Sequence, residues 1–361
     1  MIDLSVAERR RRARQLGAST DDQPLLLTCN DDVRWCSGFT GSNGWLLLDD
    51  SRTTLLTDGR YVDQAKHEVD ETVEIVECRT ASAMIDHITT RVGSRTLLVQ
   101  GEHMTVALAR RIQAALTTRL VLTADTMADL RRTKSSTEIA TIRRAASIAD
   151  LALADLIPTL IEGTTERELR DSIENFMRQH GADGPSYDTI IAAGPTHSAH
   201  PHHRPTDRPL SSGDSVVIDV GALLDGYHSD MTRTFFVGDV SAEIEHWYGV
   251  LLEAQLTALN EVGPGVPVKH IDSVCRSVLK REGLEELFSH GLGHGVGLQI
   301  HENPFLNGSS DAVLMPGDVV TIEPGLYRGG VGGMRIEDLV LVTAESHDIL
   351  TNSPKDPKCP R

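Results

Sequence analysis

No stretch of this chain approaches the roughly eighteen consecutive apolar residues that a membrane span needs, and nothing near its N-terminus has the apolar core of a signal peptide. The expectation is a soluble, cytoplasmic protein that does not work in a membrane. Cysteine is scarce and scattered. Cys29, Cys36, Cys78, Cys275 and Cys359 are odd in number and include no CxxC pair, which points to reduced thiols and away from a disulfide frame or a zinc knuckle. Positive charge is also short: 35 Lys and Arg face 52 Asp and Glu, for a formal net charge of -17. A phosphate-binding surface is therefore excluded as the main business of the chain, and small molecules or proteins rather than nucleic acid are the expected partners. The one basic run, "ERRRRARQL" at 8–16, is set in a pattern with Leu4, Val6, Ala13 and Leu16 that reads as a solvated helix face. Three familiar signatures are missing as well. There is no GxxxxGK[ST], neither "GSNGWLLL" nor "GLGHGVG" sits between a strand and a helix as a dinucleotide fingerprint must, and no serine lies in a GxSxG elbow.

What is present is length enough for more than one core. At 361 residues two domains are expected. The first 130 residues alternate helical patterns with short apolar runs, "PLLLTCN", "GWLLLDD", "TTLLTDGRY", "TVEIVEC" and "RTLLVQG", which read as strands of an α/β layer domain. At "DLRRTKSSTEIATIRRAASIADLALADL" the texture changes to a long helix, with Ser135 and Glu138 in capping-box spacing, so the expected domains are 1–130 and 131–361. Further helices are expected from Thr165 and Glu168 to Gly181, from Ser241 to Asn260 and from Val268 to Arg281. The second domain carries an internal repeat: "GDSVVIDVG" at 213–221 and "GDVVTIEPG" at 317–325 match in Gly-Asp, in the apolar run, in the acid and in the closing Gly. Asp219 and Glu323 are thus equivalent, and two α/β halves about a pseudo-twofold axis are expected.

An acid inside "VVIDVGA" is costly, because a carboxylate in a buried strand must be paired, hydrogen-bonded or metal-bound. The same cost recurs in "VVTIEPG" and "MRIEDLVLV". A turn at 224–226 would return "YHSDMTRTFFVG" so that Asp230 lies a cross-strand diagonal from Asp219; a second turn through "RGGVGG" would set Glu337 opposite Glu323. Four apposed carboxylates need cations. Arg233 and Arg335 are near enough in sequence to make ordinary ion pairs, but two divalent ions answer the whole set, and "HGLGHGVGLQIHENP" supplies His294 as an imidazole ligand. Its period of two reads as one extended strand. Oxygen-rich ligation with one imidazole suits manganese, cobalt, iron or zinc, and hydrolysis is the reaction class that follows. His290 and His301, flanking His294, are expected to donate hydrogen bonds at pKa values near neutrality. In "PTHSAHPHHRP" the prolines favour a loop with one or two of its four rings aimed inward and the others solvated.

The segments "IDVGALLDGYHSDMTRTFFVG", "HGLGHGVGLQIHENP", "TIEPGLY" and "GGMRIEDLVLVT" together resemble the pita-bread fold metallopeptidases (the methionine aminopeptidase, prolidase and creatinase superfamily), in the branch of Xaa-Pro aminopeptidase and prolidase. "LRRTKSSTEIATIRRA", "GFTGSNGWLLL" and "LLTDGRY" extend the likeness over most of the chain. The resemblance implies a creatinase-like N-terminal domain before a pita-bread catalytic domain. It places the family's five ligands on Asp219, Asp230, His294, Glu323 and Glu337, its active-site histidines on His202, His290 and His301, and Arg335 behind the ligands or facing substrate. It implies two divalent ions, manganese first, a bridging hydroxide whose proton Glu323 handles, short peptides with proline second as substrates, and a homodimer. A small-molecule hydrolase or lyase of the same fold is the alternative reading, and a non-catalytic binding protein would require an empty site.

Overall fold

The computed structural model describes residues 4–15, 23–50, 52–123 and 126–358, and these divide into two compact units between Arg131 and Arg132. Leu16 and Cys359 lie outside the described residues.

The N-terminal unit is built on a six-stranded sheet in the order Val73–Glu77, Thr53–Thr57, Gly44–Leu48, Leu25–Leu27, Leu97–Gln100, Leu120–Thr123. The central strands are antiparallel and the outer ones parallel. Five of the six were legible as apolar runs. The sixth, Leu120–Thr123, is a partly exposed strand paired with Leu97–Gln100, and it had no buried face to advertise. Leu26, Leu47, Leu56, Ile88 and Val99 are fully enclosed between the sheet and the helices Ala81–Val92 and Val106–Ala115. The basic run forms the helix Val6–Gln15, whose face is not wholly solvated: Arg10 is buried, bonded to Asp70 at 2.8 Å, to Thr72 at 2.9 Å and to the Cys36 carbonyl at 3.2 Å.

The C-terminal unit begins with the helix Ser136–Leu156, started by the full Ser135/Glu138 capping box; Glu166–Gln179 follows with the same device at Thr165 and Glu168. These two helices cover one antiparallel set, Ile190–Ala193, Ser215–Val220 and Met231–Phe236, with Leu153, Leu169, Ile173, Ile218 and Phe235 in the shared core. Ala242–Asn260 and Val268–Arg281 pack with a second set, in which Gly293–Gly295, Val319–Ile322 and Asp338–Val342 recur in the same order; Leu251, Ile271, Val320 and Val340 fill that core.

The sequence repeat has a matching backbone. Gly213 and Gly317 both adopt positive φ, 91° and 94°, a conformation that costs glycine nothing and other residues about 1–2 kcal/mol. Each donates its N–H to a carbonyl at the far end of the strand paired with the one it launches, Val237 at 2.7 Å and Val342 at 2.9 Å. The following aspartate caps the turn, Asp214 accepting from Ser211 N and Asp318 from Met315 N, and each is held by an arginine, Arg208 or Arg132. Both copies therefore launch their central strand in the same way, delivering Asp219 and Glu323 to equivalent places.

The two halves are sewn together beside these acids. Thr232 accepts from Glu337 N at 3.0 Å through its carbonyl, and Thr234 Oγ1 accepts from Arg335 N at 3.0 Å while donating to the Arg335 carbonyl at 2.9 Å.

Candidate functional site

In the first half Thr232 pairs directly with Asp219, which sets Asp230 on the diagonal. In the second, Ile322 pairs with Asp338 and Gly325 with Arg335, so Glu323 lies directly opposite Glu337. The halves thus present their acids differently, one pair diagonal and one pair opposed. His294 arrives from Gly293–Gly295, and its N–H donates to Thr321 Oγ1 at 3.0 Å. Its Nδ1 faces the Gly295 carbonyl at 3.0 Å, which fixes a proton there and leaves Nε2 with a free lone pair, 3.3 Å from Glu323 Oε1 and 3.6 Å from Asp230 Oδ2. Asp230, His294 and Glu337 each offer a ligand atom within 4.8 Å of the others.

The expected strand across residues 290–300 is cut to three residues. After Gly295 the chain bends back, because Gly297 sits against the Glu302 carboxylate, and Glu302 is held by Lys134 in a buried ion pair of 3.0 Å. That bend puts His301 edge-on to His294, ring centroids 4.4 Å apart, where a straight strand would have carried it away.

Asp219, Asp230, His294, Glu323, Glu337, His202, His290, His301 and Arg335 all line one cavity of about 860 Å³. Arg335 makes an ordinary ion pair with one of the four acids, Asp219 Oδ2 at 2.5 Å, and also donates to Tyr327 at 2.8 Å, Thr232 at 3.0 Å and the Pro201 carbonyl at 3.4 Å. Arg233 turns away, pairing with Asp338 at 2.8 Å. Among the described residues no lysine or arginine pairs with the other three carboxylates. Burial, then the charges of Asp219 and Glu323, push the Asp230 carboxyl well above its usual range. Burial with Asp230, Glu323 and Asp219 does the same at Glu337, and burial raises Glu323. An enclosed set of four carboxylates and one lone-pair imidazole, three of the acids reluctant to ionise, is chemically suited to divalent cations.

Two residues that sequence reasoning did not single out complete the site. Tyr187, in "GPSYDTI", places its hydroxyl against Oδ1 of both Asp219 and Asp230, and burial followed by those two charges keeps the phenol protonated. Tyr327, in "EPGLY", accepts from Arg335 and lies 3.2 Å from His290 Nε2. That contact corrects the reading of His290. Its Nδ1 faces the Gly291 carbonyl at 2.8 Å, so Nε2 receives the Tyr327 proton, and burial with the nearby Arg335 charge pushes its pKa down to about 4. His301 is also lowered, by burial and by His294 and His202. His290 is therefore a neutral acceptor at pH 7 and not a near-neutral acid.

Of the four histidines in 195–205, His200 and His202 are exposed, and His202 reaches the cavity. His197 and His203 are the two rings aimed inward. Both bond the buried carboxylate of Glu166, at 2.9 and 3.0 Å.

The sequence profile described as metallopeptidase family M24 matches residues 140–344, and that of the creatinase/prolidase N-terminal domain matches 9–133. An uncharacterized peptidase of Bacillus subtilis is 36% identical over 338 residues, 92% of this chain and 94% of that protein. A solved Xaa-Pro dipeptidase from Bacillus anthracis superposes with a TM-score of 0.93 at 35% identity, covering 98% of this chain and 99% of that one. An X-Pro aminopeptidase from Thermotoga maritima gives 0.86 at 34% identity, covering 96% and 99%. With its buried acids, its repeated halves and both profiles in register along the sequence, the chain belongs to metallopeptidase family M24, in the pita-bread branch that carries a creatinase/prolidase N-terminal domain.

Proposed function

We propose that this chain is a dinuclear metal-dependent exopeptidase that releases the N-terminal residue from peptides with proline in second place. The observation that carries the reading is the floor of the cavity, where Asp219, Asp230, Glu323 and Glu337 converge with the free Nε2 of His294. These five residues would hold the ions, manganese first, since carboxylate oxygen outweighs nitrogen and no thiolate is present. Bound there, a pair of divalent ions lowers the pKa of water and polarises a carbonyl.

The chain's own groups account for the rest. Glu323, on the cavity lining, takes the proton from the attacking water on its carboxylate and returns it to the leaving nitrogen. Arg335 and Tyr187 hold the Asp219 and Asp230 oxygens in place. His202 and His301, on the cavity wall, orient the peptide carbonyls. Ile300 and Phe305 give the same cavity an apolar side that suits a pyrrolidine ring, which matters because the bond to proline has no N–H to recognise.

The test is hydrolysis of Xaa-Pro and Xaa-Pro-Xaa peptides by the purified protein, loaded with manganese, cobalt or zinc and compared with chelated protein. Cleavage of the dipeptide alone identifies a prolidase, and cleavage of the tripeptide at the proline bond an aminopeptidase. Intact peptides from a metal-loaded sample refute the peptidase reading and leave a small-molecule substrate.

A further inference from the structure

Glu166 is the first residue of the helix Glu166–Gln179, and its side chain is completely enclosed. An acid in the first helical turn normally points to solvent. This one instead meets five donors: Ala193 N at 2.9 Å and His197 Nδ1 at 2.9 Å on Oε1, and Thr206 N at 3.0 Å, Thr206 Oγ1 at 2.9 Å and His203 Nε2 at 3.0 Å on Oε2. Burial raises its carboxyl, but these hydrogen bonds, that from His203 first among them in lowering it, outweigh burial and keep the group ionised. A carboxylate only accepts, so His197 carries its proton on Nδ1 and His203 on Nε2.

A metal does not fit this cluster. The His197 and His203 rings are stacked, centroids 4.2 Å apart and planes 25° from parallel, and each spends the nitrogen facing Glu166 on an N–H bond to it, which leaves no lone pair there. The two carboxylate oxygens are already saturated.

The donors come from the two ends of one segment, Ala193 and His197 at its start, His203 and Thr206 at its close. Pro201, His202 and His203 all line the cavity, His203 with its Nε2 turned back to Glu166 and His202 with its ring exposed to the cavity. The opposite side of the segment is also fixed. Ser198 Oγ accepts from Gly333 N at 2.7 Å, Pro195 O accepts from Gly330 N at 3.0 Å, and a Cβ at Gly333 would fall 1.9 Å from the Ser198 carbonyl oxygen. Pro201 O in turn receives Arg335 Nη1 at 3.4 Å.

We propose that Glu166 is a positioning residue for His202: its carboxylate ties the ends of the segment 193–206 and so sets the ring over the cavity. The proposal rests on the peptidase reading of the cavity, in which His202 touches substrate. Glutamine cannot replace it. Each carboxylate oxygen faces a backbone N–H that cannot turn around, so whichever way the amide sits, its NH2 opposes a donor.

The experiment combines hydrogen exchange of 194–206 with peptide hydrolysis, in Glu166→Gln, His203→Ala, His203→Gln and His202→Ala, with bound metal measured in each. Exchange in 194–206 should rise in Glu166→Gln and His203→Ala, and kcat should fall about tenfold to a hundredfold with metal content unchanged. His203→Gln, whose amide N–H reaches where Nε2 was, should restore both. In a His202→Ala background Glu166→Gln should cost little further kcat. Unchanged exchange in both variants, full activity of His202→Ala, or losses that simply multiply in the double variant would overturn the proposal. If Glu166→Gln fails to fold, the His203 pair decides it, with His203→Ala also measured in the His202→Ala background, where a loss exerted through His202 disappears and a direct one persists. A wild-type protein that cleaves no peptide refutes the peptidase reading separately, and the exchange arm still decides whether the carboxylate ties this segment down.

Discussion

Replacing Tyr187 by phenylalanine removes one oxygen atom and nothing else from the cavity floor, which makes it a sharp probe of how the acids are held. The hydroxyl lines the cavity and sits between Oδ1 of Asp219 and Oδ1 of Asp230. It has a single proton, so it donates to one carboxylate at a time. A hydrogen bond to a charged acceptor contributes about 1.5–3 kcal/mol, and each 1.4 kcal/mol is a factor of about ten in a dissociation constant. Asp219 keeps its Arg335 contact in the variant, but Asp230 loses a donor and has no arginine or lysine to replace it. Metal affinity should therefore weaken about tenfold to a hundredfold, with the fold intact. The assay is competition between the metal-free protein and a chelating dye for manganese, in wild type and Tyr187→Phe, alongside kcat/KM at saturating manganese. Identical manganese affinity in the two proteins would falsify the claim that the phenol orders the ligand acids. Weaker binding with kcat restored at high manganese would confine its work to holding the site together.

Two further predictions concern stability. Lys134→Met leaves Glu302 enclosed without its cation, since both side chains are 1% exposed; the cost should be about 3–5 kcal/mol, read as a lower urea midpoint, and a change under 1 kcal/mol would show that the bend at 297–301 does not depend on the pair. In the N-terminal unit burial alone would raise Asp49, but Arg95, at 2.6 and 3.0 Å, and the Asp50 N–H hold it below its usual 3.8. A depressed carboxyl stabilises the fold above the unfolded value and loses that contribution as pH falls through the folded one. Asp49→Asn should then be less stable than wild type by about 1–3 kcal/mol at pH 7, with the gap closing as pH falls below the usual 3.8 and through the lower folded value; a gap independent of pH would show that the charge is not what matters.

How much of this was legible beforehand depended on whether a residue broke its local pattern. Asp219, Glu323 and Glu337 stand out because a carboxylate in a buried apolar strand is expensive, and the repeated Gly-Asp turn showed that the first two are equivalent. Register did the rest: once the hairpins were folded, Asp230 had one place to go. The glycine-rich segment misled for the same reason in reverse. Its alternation satisfied the strand period through Ile300, while the group that bends it, Glu302 locked to Lys134, is decided by a residue far away in the chain.

Glu166 and Tyr187 were invisible because nothing local is wrong with them. An acid in the first turn of a helix is what the helix dipole favours, and a tyrosine before an apolar strand is ordinary. Their work is to satisfy or organise groups brought in by tertiary structure: in one case the two ends of a loop, in the other two acids on different strands. The same distinction explains why the four histidines at 197–203 could not be sorted from sequence. His197 and His203 differ from His200 and His202 only in facing a buried carboxylate contributed by the preceding helix. Residues that hold a site therefore have to be sought by following every enclosed charge to its partners, and in this chain that path leads from the ligand acids through Arg335 and Pro201 to Glu166. The path predicts that loosening the far end at Glu166 should be felt at His202 before it is felt at the metal.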